Sequence, residues 1–209
     1  MTPAAKRRYH SPQREAQAAA TRRAILEAAE RLFEQRGFAA VSMAAIAREA
    51  GVSLASVYVY FAGKAAIVSA MAEAIVASED LSVEQVERAQ DGRQALEIGA
   101  SIMRRLNERS WVVADILRTA HATDPEIAKT WALWQARHLN AMKRAVGALA
   151  RLDALRRDLS IAEAADILYA AAGTEVFRLL VRDRGWPPER YQSWLFSFAC
   201  RELLQPESG

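Results

Sequence analysis

The 209-residue sequence contains one cysteine, three histidines, nine glycines and six prolines. A single cysteine, Cys200, cannot form an internal disulfide or a cysteine-based metal site, which favours a reducing compartment. No apolar run approaches the roughly 18 to 20 residues that cross a bilayer, and the basic N-terminus lacks the apolar segment of a secretory signal. We therefore expect a soluble, cytoplasmic protein with no metal and no cofactor.

Alanine is abundant by contrast, with 44 residues, about a fifth of the chain. Because alanine is the best helix former and is depleted in strands, we expect an all-α fold. Apolar residues recur at spacings of three and four along most of the chain, which predicts about nine helices. These include separate helices over residues 93–108 and 110–119, the second capped by Ser110. One further helix is predicted from residue 161 to about 182, opened by a Ser160–Glu163 capping box.

The positive charge is concentrated in the first third of the chain. Residues 1–64 carry ten Lys and Arg against five Glu, whereas the remainder is slightly acidic. This asymmetry indicates a polyanionic partner for the N-terminal part, although a solvated basic tail would give the same count. We assign residues 1–20, with their Lys6-Arg7-Arg8 cluster, to a basic flexible arm.

Two short helices separated by a glycine turn follow at about residues 43–61. Ser42 and Ser53 are preferred helix N-caps and Gly51 is a preferred helix terminator, so this stretch has the pattern of a helix-turn-helix. The second helix of that motif enters the DNA major groove. It offers Ser56, Tyr58 and Tyr60 as hydrogen-bonding side chains. Lys64 and Ser42 are placed to contact phosphates, while the alternative for the tyrosines is an ordinary aromatic core.

The same stretch resembles a known family. Thr21–Val76 has an amphipathic helix ending in Phe33, Gly37 and Phe38, then Ala50-Gly51-Val52-Ser53, and then Val57-Tyr58-x-Tyr60-Phe61 before Lys64. This combination resembles the DNA-binding domain of the TetR family of bacterial transcriptional regulators. The resemblance implies an all-α homodimer, with a three-helix DNA-binding domain at residues 21–81 and a larger ligand-binding and dimerisation domain at residues 82–209.

The resemblance also implies which residues contact DNA. The recognition-helix positions are Leu54, Ala55, Ser56, Tyr58, Val59 and Tyr60, and the phosphate contacts are Ser42, Tyr58, Tyr60 and Lys64. Leu54 and Val59 depart from common family patterns, because polar residues or aromatics often stand there. Both offer apolar contact to a thymine methyl group or no contact at all.

The C-terminal part has two candidate pocket faces rich in tryptophan. Their aromatic rings and few polar groups have the composition of a small-molecule site; the residues are Trp111, Asp115, Arg118, His121, Trp131, Trp134, His138 and Glu175. A tryptophan stripe at helical spacing is also typical of plain core, and Asp115 with Arg118 has the spacing of a simple ion pair. Glu175 lies on an apolar stripe of the predicted helix at 161–182, where a carboxylate needs a partner. The candidate partners are Arg178, another subunit and a ligand.

The last two predicted helices, at about 161–182 and 189–204, are apolar on more than one face. Two such helices from each subunit would form a four-helix dimer interface. The function we expect is a ligand-responsive dimeric repressor that binds a pseudo-palindromic DNA operator and is released by a small-molecule effector. The alternatives are an all-α enzyme using His121, His138 or Glu175 in its aromatic pocket, and a helical adaptor that binds only protein.

Overall fold

The computed structural model describes residues 12–206, without the side chains of residue 12 and of residues 78–82. Nine α-helices lie within this described range, which confirms the all-α prediction. Their bounds are α1 Pro12–Arg36, α2 Met43–Glu49, α3 Leu54–Tyr60, α4 Lys64–Glu87, α5 Gly92–Ala120, α6 Pro125–Arg151, α7 Ile161–Ala172, α8 Thr174–Phe177 and α9 Pro188–Leu203. A π-helical segment, Arg178–Asp183, continues α8.

The chain divides into two compact units, Met1–Ile67 and Val68–Gly209. The division falls inside α4, upstream of the boundary at 81/82 expected from the sequence. The predicted arm also differs from the structure, since helix α1 already includes residues 12–20. The Lys6-Arg7-Arg8 cluster lies outside the described residues.

The N-terminal unit is built around the buried face of α1. Ile25, Ala28 and Ala29 are fully buried, and their spacing of three and four places them on one side of the helix. Ile46 of α2 and Val57 of α3 are also fully buried. Each short helix therefore contributes an anchor to one apolar core, and the core fixes the orientation of α2 and α3 within the unit.

The starts of α2 and α3 are defined by serine side chains. Ser42 Oγ accepts a hydrogen bond from the Ala45 backbone N–H at 3.2 Å, and Ser53 Oγ accepts one from Ser56 N–H at 3.0 Å. Gly51, between the two helices, has a φ of +68°, a backbone conformation that glycine adopts without steric cost. The helix-turn-helix predicted at residues 43–61 is confirmed.

The C-terminal unit is organised by α5, which packs against both α6 and α9, while α6 also packs against α7. The prediction of two helices over residues 93–119 is wrong, because α5 is continuous and Ser110 lies buried in its middle. Met103, Leu106, Val113 and Leu117 continue the apolar spacing through Ser110. Burial of that continuous face outweighs the local preference of serine for a helix start.

The prediction of one continuous helix from 161 to 182 is also wrong. The Ser160–Glu163 capping box is present, but α7 ends at Ala172 and Gly173 takes an extended conformation with a ψ of 152°. The chain then restarts as α8 and the π-helical segment. The residues after Gly173 therefore do not continue the helical register of α7.

Among the described residues, no single helix is both long and apolar enough to span a membrane. Helix α3 and the first half of α4 pass such a test only as a pair, across a bend.

Gly92, the first residue of α5, is the described glycine at which an added Cβ would meet its neighbours most closely. A Cβ atom added there would lie 2.5 Å from Ala154 Cβ and 2.9 Å from Leu204 Cδ2. We expect Gly92→Ala to lower the free energy of unfolding by about 1–3 kcal/mol through overpacking, as measured by urea denaturation. In the control Gly147→Ala, the nearest atom to the added Cβ is the flexible Arg151 guanidinium at 3.9 Å. That variant should be about 0.5–1 kcal/mol more stable than wild type, and equal stability of the two variants would contradict this account.

Candidate functional site

Helix α3 buries one face and presents the other. Val57 and Phe61 are 0% and 4% exposed, whereas Tyr58 is 53% and Val59 is 79% exposed. Leu54, at the start of the helix, is 41% exposed. Exposed large apolar and aromatic side chains that lie together on one face of a helix are available to a partner.

The other residues predicted on this surface differ in their exposure and in their hydrogen bonds within the N-terminal unit. Ala55 and Ser42 are exposed, and Tyr60 is half-buried. The hydroxyls of Ser56 and Ser53 are 2.8 Å apart and share a hydrogen bond. Ser42 and Ser56 therefore both take part in helix capping, in addition to any contact with a partner.

Lys64, predicted as a phosphate contact, is held by the protein itself. Its Nζ donates hydrogen bonds to the Phe38 and Ala39 carbonyl oxygens, at 2.7 and 3.4 Å, and lies 4.5 Å from the centre of the Phe38 ring. Burial lowers the pKa of Lys64. Two of its three N–H donors thus fasten the start of α4 to the loop after α1.

A cavity of about 60 Å³ lies in the core of the C-terminal unit. Its walls are almost entirely apolar and come from α4, α5, α6, α7 and α9, with Met103, Met142, Leu168 and Leu195 among them. The exception is His138 of α6. We call this space the apolar cavity.

A second cavity, of about 30 Å³, shares Met103, Leu106 and His138 with the first. We call it the polar cavity. Its other walls bring together several side chains with hydrogen-bonding groups, namely Asn107, Ser110, Trp131, Trp134, Tyr169, Thr174 and Glu175. Four of the predicted pocket residues, Trp131, Trp134, His138 and Glu175, therefore line one space.

The remaining predicted pocket residues lie elsewhere. Trp111, Asp115 and Arg118 line a third, smaller cavity, where Arg118 Nη2 is 2.7 Å from Asp115 Oδ1. His121 lines neither the apolar nor the polar cavity. Its ring faces Trp131 at 5.7 Å, and its Nδ1 is 2.7 Å from the Arg118 carbonyl oxygen.

A buried hydrogen-bonded cluster lies at the break after α7 and is not among the features predicted from the sequence. Asn107 Nδ2 donates to the Ala172 carbonyl oxygen at 3.1 Å and to Tyr191 OH at 3.3 Å, and Thr174 Oγ1 donates to Asn107 Oδ1 at 3.0 Å. Burial raises the pKa of Tyr191. The available signal was Asn107 itself, a polar residue at an apolar position of α5.

Two side-chain atoms of the polar cavity are buried without a hydrogen-bond partner among the described residues, Ser110 Oγ and His138 Nε2. Burial lowers the pKa of His138 to about 4, so its imidazole is neutral near pH 7. The Tyr169 ring lies 5.1 Å from the His138 ring.

Glu175 is not on a buried apolar helix face, where the sequence predicts it. The break at Gly173 ends the apolar stripe on which the sequence placed it, and its side chain is exposed. Arg178, a predicted partner, instead bonds Asp183 at 2.5 Å. Within the described part of the chain, no three His, Cys, Asp or Glu residues cluster closely enough to hold a metal ion.

Comparison with known families addresses the N-terminal unit directly. Residues 25–71, which contain the C-terminal part of α1, all of α2 and α3 and the start of α4, match the profile of the bacterial regulatory proteins of the tetR family. This part of the chain is similar to the bacterial regulatory proteins of the tetR family. No curated protein has detectable sequence similarity to it.

Solved structures extend the TetR-like fold to the whole chain. SmeT, the repressor of the Stenotrophomonas maltophilia multidrug efflux pump SmeDEF, is 21% identical in its triclosan complex, with a TM-score of 0.72 over 90% of this chain and 93% of SmeT. A regulator from Saccharomonospora viridis in complex with choline is 22% identical, with a TM-score of 0.74 over 90% of this chain and 100% of that one. FadR from Bacillus halodurans, a fatty acid degradation regulator, is 16% identical, with a TM-score of 0.73 over 86% and 94%.

Burial of the His138 ring gives the stability of the protein a specific pH dependence. Its folded-state pKa of about 4 lies below the usual 6.5, so the unfolded chain binds the proton more readily. Stability is therefore full above about pH 6.5 and falls as the pH drops toward 4. We expect the free energy of unfolding to fall by about 1–3 kcal/mol over that range because of this residue. In His138→Leu, denaturation should show a flatter pH profile, and a profile identical to wild type would contradict the assignment.

Proposed function

We propose that this protein is a ligand-responsive homodimeric repressor that binds a pseudo-palindromic operator and is released from it by a small-molecule effector. The observation that carries the proposal is the exposed face of α3, where Tyr58 and Val59 are presented while Val57 and Phe61 anchor the helix. In a helix-turn-helix, this is the face that meets base edges in the major groove.

The chemistry of α3 favours a particular division of roles. Tyr58 and Tyr60 carry the hydroxyls that can bond phosphates or bases, while Leu54, Ala55 and Val59 offer only apolar contact. Thymine methyl groups are the matching feature of the major groove. We therefore propose that apolar contacts contribute to sequence choice and that the basic residues of the N-terminal unit supply salt-sensitive affinity.

The proposed dimer uses the π-helical segment together with α7 and α9. Leu179, in that segment, is 50% exposed, and Ile161 of α7 is 45% exposed. On α9, the half-buried rings of Trp194 and Phe198 stack with centres 5.6 Å apart. These exposed apolar and aromatic groups would lose their contact with water against a second copy of the chain.

The proposed effector site is the pair of joined cavities in the C-terminal unit. The similar folds of SmeT and the S. viridis regulator, determined with triclosan and choline, support a role for this unit in binding small molecules. An effector that prefers the protein conformation with lower DNA affinity would weaken DNA binding, and DNA would weaken effector binding by the same factor.

We expect Tyr58→Ala to weaken binding to DNA from upstream of the protein's own gene by about tenfold or more, the loss typical of a specific contact. The replaced side chain is mostly exposed, so the variant should fold normally. A gel shift at two salt concentrations measures the loss. Leu133→Ala, which removes a 50% exposed side chain from α6, is the matched control and should bind as wild type. Equal affinity of the two variants would argue against α3 as the DNA-binding surface.

We expect Leu179→Glu to raise the dimer dissociation constant by about tenfold or more, because the interface would bury an unpaired carboxylate. Leu133→Glu makes the same change at a residue of equal exposure outside the proposed interface and should remain dimeric. Sedimentation velocity over a range of concentrations distinguishes the two. If both variants behave as wild type, the dimer uses another surface.

A further inference from the structure

Ser110 Oγ and His138 Nε2 are two buried polar atoms without hydrogen-bond partners among the described residues, and both residues line the polar cavity. A buried polar atom left without a hydrogen bond costs about 1–3 kcal/mol. Native proteins keep few such atoms, and each one calls for an explanation. Two of them on α5 and α6, lining the same space, indicate a group that bonds there.

A molecule that carries such a bonding group would extend into the neighbouring apolar cavity, which restricts the polarity of the rest of the molecule. Among the described residues of the cavity wall, His138 is the one side chain with a polar group, beside residues such as Leu96, Leu168 and Leu195. A charged group placed there would lose its hydration without compensation. Met103 and Met142 have flexible, unbranched side chains that can adjust to an apolar occupant larger than the present cavity.

The charges around the polar cavity restrict the charge of the group that bonds to Ser110 and His138, which we call the head of the molecule. Among the described residues that line the two cavities, none is Lys or Arg, and Glu175 is an acid. The negative charge of Glu175 reaches into this space, since together with burial it raises the pKa of Tyr169. An anionic head therefore has no partner here. A cationic head would meet only the solvent-exposed Glu175, and an exposed ion pair contributes little.

We propose that the effector is an uncharged amphipathic molecule with a hydroxyl or similar hydrogen-bonding head. The head donates to His138 Nε2 and accepts from Ser110 Oγ–H, and the apolar body lies in the apolar cavity. This inference rests on the proposed function, because it specifies the effector of that same site. The neutral state of His138 leaves Nε2 free to accept when the ring proton is on Nδ1.

Three probes with the same eight-carbon chain test the head group: 1-octanol, octanoate and octylammonium. Their binding to the full-length protein at pH 7 is measured by titration calorimetry, without DNA. We expect 1-octanol to bind with a stoichiometry of one per chain, about tenfold or more tighter than either ion. Tighter or equal binding of octanoate or octylammonium would overturn the proposal, and so would the failure of 1-octanol to bind.

Two variants separate a ligand contact from a structural role. Ser110→Ala and His138→Leu should each weaken 1-octanol binding by about fivefold, the loss of one hydrogen bond. Neither should lower the melting temperature at pH 7, because each removes a buried polar atom that lacks a partner. Unchanged affinity for 1-octanol together with reduced stability would assign both residues to the core and overturn the proposal.

The same protein samples are assayed for DNA binding by gel shift. DNA binding without 1-octanol binding overturns this inference and leaves the DNA-binding part of the proposed function standing. Binding of 1-octanol without any DNA binding has the opposite meaning: the cavity is assigned correctly and the regulatory function is not.

Discussion

The first backbone N–H groups of a helix need hydrogen-bond acceptors, and short side chains supply them at five helix starts of this protein. Ser42, Ser53, Asp91, Asp124 and Ser160 each accept a bond from an N–H in the first turn of α2, α3, α5, α6 and α7. Ser53 sets where α3 begins, and the buried Val57 sets which face of α3 is turned toward the core. Tyr58 and Val59 therefore face outward, and the proposed DNA contacts depend on both the cap and the core.

The start of α8 has no side-chain cap, and the candidate effector site lies beside it. Where α7 stops at Gly173, its last carbonyl groups lose their helical partners. Asn107 and Tyr191 donate to the Ala172 carbonyl oxygen in their place, which explains why two polar side chains are buried at this point. The break thus brings polar groups into an otherwise apolar core, next to the unpaired Ser110 and His138.

Features encoded locally could be predicted from the sequence, whereas those decided by packing could not. The turn at Gly51 and the caps at Ser42, Ser53 and Ser160 depend on residues within one helical turn, and all were predicted. Ser110 has the same local preference as Ser53 but is buried inside α5, because the apolar face around it continues. The phosphate contact predicted for Lys64 stays a prediction, but its bonds to the Phe38 and Ala39 carbonyl groups could not be predicted, because those groups are 26 and 25 residues away in the chain. The exposure of Glu175 likewise follows from a break that its own neighbours do not require.

We propose that two copies of α3 bind the two halves of one DNA site. Hydroxyl-radical footprinting of the DNA upstream of the protein's own gene tests it most directly. The account predicts two protected patches related by a two-fold axis, with the recognition helices about 34–36 Å apart or somewhat more along the DNA. A single unpaired patch, or uniform weak protection that disappears in moderate salt, would contradict it.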